Sequence, residues 1–289
     1  MINVFIGVVL YSEPAGKTLT FTSISRVDFK RLNIKPFFYI KDNSIAGHSN
    51  SFFEEGFGHE YCVAHNTKNE KLSVVYNEMI SFSVINDVPS DIYIILDDDS
   101  KIMHDYFCGL IDFYKSEASV AVPIIRNNGE IISPGKVDGI KGKSITESEF
   151  RTGVNKNKNF VAMMSGTAIK ESIFEVDGIT FCEKLSFYGV DTKFFLDYQE
   201  KNNKIFIIDY SLEHHSALRD TNYDFNNMYQ RLANVMQAHF YIFSNKPGYK
   251  IKLFAYFPRF ILGKVLKFKD LRFFMLFKNY ICFWRLDDK

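Results

Sequence analysis

The chain opens on an uncharged, apolar run, Ile2 to Tyr11, that reads as a strand buried on both faces. It has no basic leader and no small-residue cleavage site, so a signal peptide is not expected. Phe37 to Lys41 and Tyr61 to Ala64 are shorter runs of strand length, and Leu72 to Val84 spaces its apolar residues as a helix does. Asp91 to Leu96 is a β-branched run that stops at three aspartates; Ile102 to Tyr114 again has helical spacing, and Val120 to Ile125 strand character. Strands alternating with helix-length segments predict βαβ units and a mostly parallel sheet. Ligands of such sheets sit at the carboxyl ends of the strands, where Asp42 and Asp97 fall.

Beyond Arg126 the pattern loosens. Asn127-Asn128-Gly129 and Pro134-Gly135 mark turns, and Lys136 to Lys158 is polar enough to predict a mobile loop. Order returns at Phe160 to Met164. A helix follows over Asp191 to Asn202, a strand over Lys204 to Ile208 and a long helix from about Tyr223 to Phe243.

Composition narrows the class. With 289 residues, 46% of them hydrophobic, the chain can bury one large domain or one domain with an appendage. The net charge of +1 excludes a globally basic nucleic-acid binder, but it hides an asymmetry. From Lys246 onward 11 residues are basic and 3 acidic, an excess of +8, so the body before it is net acidic. Cys62, Cys108, Cys182 and Cys282 lie far apart without a Cys-x-x-Cys, which suits free thiols in a reducing compartment. No apolar run approaches the ~18 residues that a spanning helix needs.

The chemistry concentrates at Asp97-Asp98-Asp99. Adjacent carboxylates at the end of a buried strand repel one another unless a cation or solvent intervenes. Alternate residues of an extended segment point the same way, so Asp97 and Asp99 can share a ligand while Asp98 faces elsewhere. Hard oxygen ligands suit Mg²⁺ or Mn²⁺ completed by substrate phosphates. The alternative is a solvated acidic turn capping the helix that begins near Lys101.

Ile94-Ile-Leu-Asp-Asp-Asp-Ser100 resembles the Asp-x-Asp motif of the GT-A glycosyltransferases of family 2, in particular their bacterial rhamnosyl- and galactofuranosyltransferase-like branch. Asp42-Asn43-Ser44 is similar to that family's Asp-Asn-x-Ser, and Asn69 to Asn77 to its Asn-x-Gly-Leu-Ser-x-Ala-Tyr-Asn segment, with Lys71 where glycine is usual. Ser165-Gly166 resembles its Ser-Gly before a helix, and Phe187 to Phe194 the start of its catalytic helix. The resemblance covers about residues 3 to 240 and implies a GT-A α/β domain over residues 1–245. Its nucleotide-sugar half would be residues 1–126, its acceptor half residues 127–245, and residues 246–289 a helical appendage.

What the resemblance implies for the site can be stated residue by residue. Asp42 contacts the nucleobase or ribose, Asp97 the ribose or diphosphate, and Asp99 holds the metal, Mn²⁺ or Mg²⁺. Tyr11, Asn69, Asn77, Asp98, Ser165 and Gly166 complete the donor-binding set. Asp191 is the catalytic base; relatives often have Glu-Asp here, and Val190 replaces the Glu. Its alternative is a helix N-cap. A histidine just past a strand end, His214 (or His215), joins Asp97 and Asp99 on the metal. Arg219 either meets a phosphate or decorates the surface, and Asp197 stands where relatives carry arginine.

The implied activity is inverting transfer of a sugar from UDP or dTDP to a glycan acceptor hydroxyl, commonly lipid-linked, in bacterial surface-polysaccharide synthesis. The basic, aromatic tail fits a cytoplasmic enzyme held peripherally at an anionic membrane surface. The alternative is helices packed on the body or on a second subunit; no nucleic-acid partner is expected. The alternatives are a sugar-phosphate nucleotidyltransferase, for which Glu13-Pro14-Ala15-Gly16-Lys17 is a poor phosphate loop, and a non-catalytic membrane-associated scaffold.

Overall fold

Strands β1 (Ile2–Leu10), β2 (Ile34–Asp42), β3 (Glu60–His65) and β4 (Ile92–Asp97) lie in the order β3-β2-β1-β4, all parallel. Helices α1 (Leu19–Ile24), α2 (Ser51–Glu54) and α3 (Leu72–Ile85) connect them. The computed structural model describes residues 1–11, 13–156, 159–214, 224–244 and 246–286, with side chains described to residue 281. Helix α4 (His104–Lys115) leads to β5 (Val120–Asn127), β6 (Glu130–Ser133), β7 (Gly135–Asp138), β8 (Lys141–Ser144), β9 (Gly153–Lys156), β10 (Phe160–Val161) and β11 (Thr167–Lys170). Then come α5 (Ser172–Glu175), α6 (Val190–Lys201), β12 (Lys204–Glu213), α7 (Phe225–Phe243), α8 (Tyr249–Phe268) and α9 (Leu276–Leu286). Among the described residues the main sheet has nine strands: the path β3-β2-β1-β4-β11-β5-β12-β9 with β6 on β5; β10-β7-β8 form a second sheet.

Two-residue periodicity divides the core. Val4, Ile6, Val8 and Leu10 of β1, with Ile92, Ile94 and Leu96 of β4, face a cluster that includes Tyr106 and Phe107 of α4. Phe5, Val9, Tyr93 and Ile95 face the other way, into a cluster shared with Val75 and Met79 of α3 and Phe194 of α6. Asp97 continues the parity of Tyr93 and Ile95, so it leaves the sheet on the face where α3 and α6 pack.

Two expectations are corrected. Over residues 136–156 the chain forms the β7-β8 hairpin and β9 in place of a mobile loop; Asn157 and Lys158 lie outside the described residues. Its sparse apolar residues decide this: Val137, Ile140 and Ile145 are buried, and Gly139-Ile140, with Gly139 at φ 62°, forms the two-residue turn between the paired Asp138 and Lys141. Ser165-Gly166 precedes a strand, not a helix. Thr167–Lys170 inserts antiparallel between β4 and β5, which takes the Ser-Gly pair to the end of β4.

The basic tail is helical, and one of its faces packs on the body. Leu253, Phe257, Ile261 and Val265 recur every four residues along α8 and join the cluster that holds α3 and α6. Phe257 meets Phe240 of α7, and Phe273, in the turn before α9, meets Phe225. Among the described residues no helix is long and apolar enough to cross a membrane.

Candidate active site

The parallel register brings the ends of three strands together, since Val9 pairs with both Lys41 and Asp97 and Leu10 with Asp42. The acidic turn after β4 is pinned from beneath by α1. Thr20 Oγ1 donates to the Asp97 carbonyl at 2.5 Å and accepts from the Ser100 N–H at 2.9 Å, and the Thr20 N–H donates to the Asp98 carbonyl at 3.2 Å. Thr20 is fully buried. Nothing in the local sequence marks it, because its partners lie nearly eighty positions away.

The three carboxylates diverge. Asp97 accepts a hydrogen bond from Ser165 Oγ. Asp98 turns toward β1 and accepts from the Tyr11 N–H at 3.1 Å, leaving the Tyr11 ring exposed at the strand end. Asp99 is more than half exposed, and its Oδ2 lies 3.5 Å from Nδ1 of His214. His214 follows β12, three strands along the sheet from β4, and is tied there by its N–H to the Arg126 carbonyl at 2.9 Å. His215 and Arg219 lie outside the described residues.

Electrostatics follow from this crowding. Burial raises the Asp97 carboxyl, the Ser165 hydrogen bond pulls it back, and the nearby Asp99 and Asp98 charges add to the rise. The hydrogen bond to Asp99 raises the His214 imidazole against burial, with the charges of Asp99 and Asp97 assisting. Among the described residues no three acidic, histidine or cysteine side chains form a ready-made metal cluster. What the structure does bring together is the Asp99 carboxylate and the His214 imidazole, with Asp97 close enough to feel both; oxygen and nitrogen donors of this kind suit a hard divalent cation whose other positions phosphate oxygens fill.

Asp191 lies across the Met164-Ser165 segment from Asp97. Its Oδ2 accepts from the Met164 N–H at 3.2 Å, while the next residue, Ser165, holds Asp97. The helix cap is Gly189, not Asp191, so this carboxylate does not serve as the N-cap of its own helix. Gly189 has φ 83°, and a Cβ there would stand 2.6 Å from Ile242 Cδ1 of α7; only glycine starts α6 at this approach. Burial, then the charge of Asp97, raises the Asp191 carboxyl to about 7, against the hydrogen bond from Met164. The buried Tyr76 of α3 feels both carboxylates, which add to the effect of burial in raising its phenol. Asp191 and Thr192 also line a cleft of about 300 Å³ with Ser133, Lys143, Ser144 and Met163.

Three residues expected in the donor set also make hydrogen bonds within the protein. Asp42 is 3% exposed and organises its own turn. Its Oδ1 accepts from the Ser44 N–H and Oγ at 3.0 and 2.6 Å, and its Oδ2 from the His48 N–H at 2.5 Å. Burial opposes its charge, yet the Ser44 and His48 hydrogen bonds hold the carboxyl below its usual range. Asn69 accepts from Asn43 Nδ2 at 3.0 Å, and Asn43 itself brackets the Glu70 backbone, joining the end of β2 to the approach of α3. Asn77 is a clamp: its amide donates to the Phe181 carbonyl and accepts from the Phe181 N–H, both at 2.9 Å. Asn77→Ala is therefore expected to destabilise the fold by about 1–3 kcal/mol, leaving backbone groups of Phe181 unpaired. Chemical denaturation measures this. Unchanged stability would overturn the structural role, and weakened donor binding in the same variant would assign Asn77 to the donor site.

No known family profile matches the sequence, and no curated protein resembles it. Solved structures do match in fold. GalNAc-T7 with UDP, GalNAc and Mn²⁺ superposes with a TM-score of 0.60 at 13% identity over 89% of this chain, which spans 50% of that one. TarS 1-349 of S. aureus in complex with UDP-GlcNAc gives 0.52 at 12% identity, covering 83% of this chain and 66% of its own. Mannosyltransferase PcManGT from Pyrobaculum calidifontis with GDP-Man and Mn²⁺ gives 0.52 at 13%, covering 82% and 62%. The chain has the GT-A fold: a mostly parallel central sheet flanked by helices.

Proposed function

We propose that this protein is an inverting, metal-dependent glycosyltransferase that moves a sugar from a nucleoside diphosphate to the hydroxyl of a glycan acceptor. The observation that carries the reading is the approach of Asp99 to His214 beside Asp97 at the carboxyl edge of the sheet, with Asp191 one short segment away on the edge of a cleft. The fold neighbours support it, since their structures hold UDP-GlcNAc, GDP-Man or UDP, two of them with Mn²⁺.

In this reading Asp99 and His214 hold Mn²⁺ or Mg²⁺, with Asp97 turned toward the same donor. The cation, when bound, neutralises charge that develops on the departing diphosphate. The acceptor enters by the cleft. Asp191 Oδ takes the proton from its hydroxyl as that oxygen bonds to the anomeric carbon, and the bond from that carbon to the diphosphate oxygen breaks on the opposite face. A single displacement of this kind inverts the anomeric centre. A carboxyl raised to about 7 is matched to this task, because a base works best near the operating pH. The sequence resemblance supports a role in bacterial surface-polysaccharide assembly, with UDP or dTDP as the nucleotide and a lipid-linked acceptor.

A thermal-shift panel of UDP-, dTDP- and GDP-sugars, each with and without Mn²⁺, tests the donor. The matched pair should raise Tm by several degrees through mass action, and neither component alone should do so as strongly. If no donor stabilises the protein and none is turned over, the reading fails.

A further inference from the structure

Among the described residues, 8 of the 19 large hydrophobic side chains that remain exposed fall within residues 251–281. So dense a set forms a patch, which single exposed leucines elsewhere do not. Helix α8 carries two apolar stripes. The one through Leu253, Phe257, Ile261 and Val265 is packed on the body. The second runs through Ile251, Phe254, Leu262 and Leu266, spaced by three and multiples of four, and is 77, 61, 49 and 68% exposed. The turn that follows adds Leu271 and Met275, also exposed. Helix α9 lies along α8, with the Tyr280 hydroxyl donating to the Phe254 carbonyl at 3.3 Å.

Cations surround this apolar surface. Lys250 to Lys278 holds eight basic residues and one acidic, Asp270, which Arg272 engages. Lys252 and Arg259 are exposed and sit one position round the helix from Ile251 and Pro258, along the border of the stripe.

We propose that this face of α8, with the turn before α9, docks on an anionic lipid surface. The helix lies in the interface with its outer stripe among the acyl chains and its cations at the headgroups. Charge selects this occupant. A second copy would set the same surface against itself across a two-fold axis, and like charges would meet. Single-stranded nucleic acid would need rings to stack on, whereas three of the four outer residues of α8 are aliphatic and Phe257, Phe273 and Tyr280 are buried in the core. The docking face is separate from the chemistry proposed above, so either can fail without the other.

Cosedimentation of the whole protein tests it, with vesicles of phosphatidylcholine alone and with about a third phosphatidylglycerol. Binding should be ~10-fold or more stronger to the anionic vesicles and weaken with salt. Leu262→Glu with Leu266→Glu should abolish the part that resists salt, and Lys252→Glu with Arg259→Glu the preference for anionic lipid. All four side chains are exposed, and unchanged melting of the variants confirms that the fold survives. Equal binding to both vesicle types, or none, overturns the proposal. So does concentration-dependent dimerisation that the same leucine variants remove, or binding to an oligonucleotide but not to vesicles.

Discussion

Asp191→Asn should bind the nucleotide sugar as the native protein does and transfer its sugar ~10²–10⁴-fold more slowly, the loss typical of a missing general base. Calorimetry of donor binding beside product formation separates the two steps. A donor affinity that collapses with the rate would make Asp191 a binding residue. The same carboxylate predicts two pH dependences. Its carboxyl stands at about 7 in the folded protein against an ordinary 3.8, so kcat/KM should rise with pH through that region as the base deprotonates. Between those values the folded state keeps a proton that the unfolded chain has lost. Stability attributable to Asp191 therefore falls as pH rises from about 4 to about 7 and stays lost above. Asp191→Asn should recover on the order of 1–2 kcal/mol near pH 8 and none near pH 4. Melting curves at the two pH values would show it as a rise in Tm at the higher one alone.

Asp99→Asn should fold normally and lose nearly all turnover, with EDTA reproducing the loss in the native protein. The physical reason differs from that at Asp191. Removing Asp99 takes away an anionic ligand and leaves the His214 imidazole, now without its hydrogen bond, to hold the cation. Donor binding should therefore weaken together with turnover, and excess Mn²⁺ should restore part of both. Release of nucleoside diphosphate across a Mn²⁺ titration measures this. Full activity in EDTA, or an Asp99→Asn variant as active as the native protein, sinks the metal assignment.

These predictions rest on residues that the sequence made visible to different degrees. Asp97 and Asp99 stood out because a β-branched strand and a run of like charges are local signals, legible within seven residues. Asp191 was legible as the first acid of a helix. That it also accepts from Met164, outside its own helix, was not, since the bond depends on where β11 enters the sheet. Asn77 shows the reverse case. Its place in a family-like segment suggests a donor contact, and the fold adds a hydrogen bond to Phe181, 104 positions away, that no local signal marks. Thr20 and Asn43 were passed over for a like reason: a small polar residue gains its role only from the backbone groups that folding brings to it. The β7-β8 hairpin was missed because the polar residues around it outweigh three buried apolar ones and a single turn glycine, Gly139.

By itself, then, the sequence determined the strands β1 to β5 and β12 and the helices α3, α4, α6 and α7, that the sheet is mostly parallel, and that acidic residues gather at its carboxyl edge. These follow from periodicities of 2 and 3.6 residues, which any short window contains. Tertiary structure alone decided that β11 inserts antiparallel between β4 and β5 and which of the two apolar stripes on α8 is covered. A buried strand is apolar on both faces whatever its neighbours, and a helix with two apolar stripes does not state which one the body will take. Strand order and helix docking are settled by how whole surfaces fit together, and that information is spread over the chain rather than written at any one place in it.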